Sequence, residues 1–94
     1  MSTHKYRIYY EWQGKTPSDP FAREKTPDEV ADALERAPTE FRVRLDAGAS
    51  VEAEAGASSS EIVLTVSTSG TEEDVTRALV PTLQDWHLFG TKLS

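Results

Sequence analysis

The chain has 94 residues, of which 37% are hydrophobic, enough for one modest core and too few for two. It contains no cysteine, which excludes disulfides, thiolate metal sites, iron–sulfur clusters and cysteine nucleophiles. Ten basic against sixteen acidic residues leave a net charge of -6, a balance that repels nucleic acid and anionic membranes and steers toward a basic protein partner.

Residues 4–12 alternate, with Tyr6, Ile8, Tyr10 and Trp12 on one side and Lys5, Arg7, Tyr9 and Glu11 on the other. A period of two in aromatic and β-branched residues predicts a strand with one buried face. Nothing before it reads as a signal peptide, and no apolar run reaches the roughly 18 residues of a membrane span, so a cytoplasmic protein is expected. Residues 13–26, with Gly14, Pro17 and Pro20, keep no period and read as a long loop. Phe21 is its one large apolar side chain. It either pins the loop to the core or serves as a binding anchor.

Residues 26–37 predict a helix. Thr26 caps it, Pro27 suits its first position, and Glu29 completes a T-x-x-E capping box. Val30, Ala33, Leu34 and Ala37 form one apolar stripe, and Pro38 is expected to end the helix. Residues 41–55 read as a hairpin about Ala47-Gly48-Ala49. One register sets Leu45 opposite Val51 and Val43 opposite Ala53, and pairs Arg44 with Glu52 and Arg42 with Glu54. After a short connection at 56–60, residues 61–68 predict a strand with Ile62, Leu64 and Val66 inward. Residues 71–87 predict a second helix, capped by Thr71, with Glu72, Glu73 and Asp74 in its first turn. Its stripe of Val75, Ala78, Leu79, Thr82, Leu83 and Trp86 continues across Pro81, where a kink is expected. Gly90 is a plausible stop. Residues 88–94 read as a tail, with 91–94 alternatively a short edge strand.

The pattern predicts an α+β fold: a single two-layer domain over 1–94, β-α-β-β-β-α, with an antiparallel-rich sheet and both helices on one face. If residues 50–55 only extend a loop and a C-terminal edge strand forms, the alternative is a ferredoxin-like split βαβ layout.

The chemistry is sparse. His4 and His87 are the only imidazoles, the serines cluster in the 58–60 connection, and no G-x-S-x-G elbow exists, so no catalytic residue is assigned. Asp28 and Asp32 share a helix face, but Glu72, Glu73 and Asp74 are consecutive and cannot converge on one ion. Neither a metal nor a cofactor is expected. Ser69-Gly70-Thr71 opens a helix after a strand, yet it lacks the Walker lysine and precedes three carboxylates. In element order alone the α-β-β-β-α portion resembles double-stranded RNA-binding domains. Those domains carry a lysine-rich patch where this chain has Glu72-Glu73-Asp74, so no nucleic-acid partner is expected.

What remains is a noncatalytic protein-interaction or regulatory module. It would bind a partner protein, or a second copy, through the open sheet face or the 13–26 loop. Arg7, Tyr9, Phe21, Arg42 and Arg44 are the candidate contacts, since aromatics and arginine dominate interface energetics. The alternative is a small dimeric enzyme or ligand-binding domain, similar to α+β barrels. Its pocket would touch Tyr10, Trp12, Trp86 and His87.

Overall fold

A computed structural model of the chain describes residues 2–12, 14, 17–18, 20–45 and 48–93. Its elements are β1 (Ser2–Tyr9), α1 (Pro27–Arg44), β2 (Ser50–Ala55), β3 (Glu61–Thr68), α2 (Glu72–Trp86) and β4 (Phe89–Lys92). The strands form one sheet in the order β2-β3-β1-β4, and every neighbouring pair is antiparallel. The α+β class holds, and the element order matches the split βαβ alternative by a different route, since residues 50–55 are a strand and 41–44 are helical.

Alternation decides which way the strands face. Tyr6 and Ile8 of β1, Val51 of β2, and Leu64 and Val66 of β3 turn to one side. There they meet Val30, Ala33, Leu34, Ala37 and Phe41 of α1 and Val75, Ala78 and Leu79 of α2 in one core. Both helices begin as the capping signals require. The Thr26 hydroxyl accepts from the Glu29 N–H at 3.2 Å, and the Glu29 carboxylate accepts in return from the Thr26 N–H at 3.2 Å. Thr71 and Asp74 repeat the same reciprocal box.

The expected hairpin over 41–55 does not form. α1 runs through Pro38 to Arg44, and only residues 50–55 are a strand, paired with β3 and not with 41–45. An internal proline forfeits one helical hydrogen bond and crowds the preceding turn, a cost of about 3 kcal/mol. Burial offsets it: Pro38 itself is buried and Phe41 is fully so, extending the stripe of Leu34 and Ala37 by another turn. Val43, expected on the buried face with Phe41, is 80% exposed.

The arginines move with the helix and meet other partners. Arg42 donates to the Val51 carbonyl at 2.7 Å. Arg44 donates to the Thr82 hydroxyl at 2.9 Å and the Asp85 carboxylate at 2.7 Å, stitching the ends of α1 and α2 together. The pairs Arg42–Glu54 and Arg44–Glu52 are therefore absent.

Two smaller differences bear on function. β1 ends at Tyr9, so Tyr10 and Trp12 lie beyond the ladder, and Trp12 is 37% exposed instead of filling the core. Gly90 lies within edge strand β4, not at a helix stop. As the stripe across Pro81 predicts, α2 is one helix on both sides of that proline. Ala47 of the expected hairpin tip, Gln13, Lys15, Thr16 and Asp19 of the 13–26 loop, and Ser94 of the 88–94 segment lie outside the described residues. No helix among the described residues is long and apolar enough to cross a membrane.

Candidate functional site

Two surfaces carry the candidate residues. The first is the sheet face opposite the helices. The registers place Lys5, Arg7 and Tyr9 of β1 there, beside Phe89 and Thr91 of β4 and Glu61, Val63 and Thr65 of β3. Glu52 and Glu54 of β2 complete it. At its centre the side chains interlock. The Arg7 guanidinium lies 4.3 Å from the centre of the Tyr9 ring and donates to the Glu61 carboxylate. Tyr9 stacks on Phe89 with ring centres 5.7 Å apart. Cation–π and stacking contacts of this kind hold an aromatic platform in place. Glu61 is buried beneath Arg7 and pressed against Gly56, where a Cβ would come within 2.4 Å of the Glu61 Cγ.

The charges on this face are segregated. Arg7 is already matched within the face by Glu61 of β3, which leaves Lys5 on β1 and Glu52 and Glu54 on the far edge strand, β2, as the charges without an ion-pair partner among the described residues. Arg42 and Arg44, expected on this face, are absent from it, because both belong to the last turn of α1.

The second surface is a cleft of about 570 Å³ at one end of the domain. Tyr10, Glu11 and Trp12 enter it from the end of β1, and Ala22, Arg23 and Lys25 from the long loop. Glu29 of α1 faces them, with Leu83, Gln84 and His87 at the end of α2 and Leu88 and Phe89 beyond it. The Tyr10 hydroxyl accepts from the Lys25 backbone N–H at 2.8 Å, tying the loop to β1. Arg23 donates two hydrogen bonds to Glu29, at 2.8 and 2.9 Å.

Those bonds, with that from the Thr26 N–H, pull the Glu29 carboxyl from its ordinary 4.5 down to about 2. Asp74 is lowered by the Thr71 N–H, Glu72 by Lys92 and Asp85 by Arg44. A carboxyl lowered by folding stabilises the fold above its unfolded pKa, and that contribution disappears as pH falls through the folded value. Thermal scans should therefore show the melting temperature falling as pH drops from above 4.5 toward 2. Glu29→Gln should show a shallower fall over that window.

Of the pocket residues named from sequence, Tyr10, Trp12 and His87 line this cleft. Trp86 does not: its Nε1 donates to the Glu40 carboxylate on the outer side of the helices. Phe21 sits on the loop beside Ala22 and is 92% exposed. Lys25, Leu83, Leu88 and Phe89 were not anticipated. Only Leu83 carried a usable signal, as part of the α2 stripe.

His87 is the one residue other than glycine with positive φ among those described, at φ 54° and ψ 44°, where its N–H donates to the Leu83 and Gln84 carbonyls. At the other end of the domain the His4 Nε2 and the Tyr6 hydroxyl are buried without a hydrogen-bond partner among the described residues. Burial and nearby Glu72 push the Tyr6 hydroxyl pKa up. No group of three or more metal-ligating side chains occurs among the described residues. Comparison with protein-family models, with curated proteins and with solved structures finds no match to this chain.

Proposed function

We propose that the protein is a noncatalytic interaction module whose contact surface is the helix-free face of the sheet, and that the partner on this face is a second copy of the chain. The observation that carries this reading is the segregation of charge across the face around the Arg7–Tyr9–Phe89 platform.

A two-fold contact brings each residue over the symmetry image of another. If the axis lies in the contact plane and parallel to the strands, β2 of one copy lies over the β1–β4 side of its partner. Glu52 and Glu54 then approach the side that bears Lys5. If the axis runs across the strands, β2 lies over β2 and the four carboxylates repel. The first arrangement is therefore favoured, with Tyr9 and Phe89 supplying apolar contact area.

Sedimentation equilibrium tests it. The wild type should show a concentration-dependent monomer–dimer equilibrium. The double variant Glu52→Lys with Glu54→Lys should be monomeric, and adding Lys5→Glu should restore association. The double variant changes the net charge from -6 to -2, which by itself weakens repulsion between copies, so loss of the dimer would report the local pairing. A wild type that stays monomeric at every concentration would overturn the reading. So would a double variant that dimerises as well as the wild type.

A further inference from the structure

We infer that the cleft between the end of β1, the long loop and the end of α2 is a binding site for a small organic anion with a flat apolar body, an aromatic carboxylate in its simplest form. This inference shares only Phe89 with the sheet-face contact and otherwise rests on other residues. Three observations converge on it.

The size and lining come first. At about 570 Å³ the cleft falls within the roughly 300–1,000 Å³ of small-molecule sites. Trp12, Leu83, Leu88 and Phe89 give it apolar walls. Trp12 and Phe89 are 37% and 38% exposed, an amount of bare aromatic surface that a ring laid between them would cover.

Charge comes second. Arg23 and Glu29 satisfy each other through two hydrogen bonds. Lys25 is only half exposed, and among the described residues no carboxylate pairs with it. Glu11 also lines the cleft without an ion-pair partner among the described residues, but it is exposed, whereas Lys25 is partly buried. Of the two unmatched charges in the cleft the less exposed is positive, which favours an anion as the ligand.

The third observation is His87. It ends α2 in the left-handed conformation, a position where glycine is favoured and a side chain carries a penalty. His87 lines the cleft, and a ring nitrogen bearing hydrogen can donate to an oxyanion bound there. A side chain placed at this backbone position, on the wall of a cavity, agrees with a binding task there.

Titration of the full chain with indole-3-acetate and with its neutral amide, followed by amide and indole N–H NMR shifts, tests the assignment. Shifts should centre on Trp12, Lys25, Leu83 and Leu88, and the acid should bind at least about tenfold tighter than the amide. Lys25→Gln should remove that preference while leaving the melting temperature in place, because the bond to the Tyr10 hydroxyl uses the Lys25 backbone. His87→Gly should raise the melting temperature and weaken binding of the acid. Equal binding of acid and amide would overturn the proposal. So would absence of shifts at millimolar acid, shifts confined to Tyr9 and Thr65 on the open sheet, or unchanged affinity in both variants.

Discussion

Phe41→Ala should destabilise the domain by about 3–5 kcal/mol, measured by urea unfolding. Phe41 of α1 is fully buried in the core shared by the sheet and α2, so truncation leaves a cavity that close-packed neighbours fill only in part. Small domains have total stabilities of about 5–15 kcal/mol, so the variant should lie near the edge of folding. The companion substitution Val43→Ala should change stability by no more than about 0.5 kcal/mol, because Val43 is 80% exposed. The pair separates two arrangements of the same residues. On a strand, positions 41 and 43 share a face and both substitutions are costly. On a helix, they lie on different faces and only the first is. Comparable losses from both would refute the extension of α1 past Pro38.

Gly56→Ala should cost about 1–3 kcal/mol, or roughly 4–8 °C in melting temperature for each kcal/mol. The new methyl would meet the Glu61 Cγ at 2.4 Å and the Glu61 backbone at 3.0 Å, and backbone cannot yield as a flexible side chain can. Glu61 would have to shift, and with it the carboxylate that receives Arg7 above Tyr9. The expected signature is thus double: lower stability, and faster solvent exchange of the Arg7 Nε–H in NMR spectra. Gly48→Ala is the control. Nothing lies within 4 Å of its Cβ position and its φ is not positive, so a change near zero is expected. If Gly56→Ala proved as neutral as Gly48→Ala, the close approach of Glu61 to Gly56 would be wrong.

Much of the fold is legible in the residues because several local signals agree. Thr26 with Glu29 and Thr71 with its acidic first turn announce both helix starts. Alternation places 61–68 as a strand with Ile62, Leu64 and Val66 facing inward. The region that misleads is 38–45. There Phe41, Val43 and Leu45 alternate like a strand, while Leu34, Ala37, Phe41 and Leu45 also recur at helical spacing. The proline tips a local reading toward the strand, and two arginines spaced to match two glutamates reinforce it. Only the buried volume available to Pro38 and Phe41 decides otherwise, and that volume is supplied by the sheet.

The candidate sites divide in the same way. Arg7 and Tyr9 follow from the phase of β1 alone. Their partner Phe89 does not, because β4 has only four residues and contains a glycine, too little for a periodic signal. The cleft joins the ends of β1 and α2 to a loop without a period, so its residues are brought together by topology. Tyr10, Trp12 and His87 can be singled out by residue type, whereas Lys25 and Leu88 have nothing local to mark them.

The central ladder also sets the order of assembly. β1, made first, pairs mainly with β3, which lies more than fifty residues later in the chain. Loop-closure entropy must be met before that pairing gives any return, so folding should be slower than in a helical bundle of equal length. During synthesis the ribosome releases Tyr6, Ile8 and Tyr10 well before their partners exist. The interleaved Lys5 and Arg7 then act as gatekeepers, keeping this nascent apolar segment from zipping onto another chain.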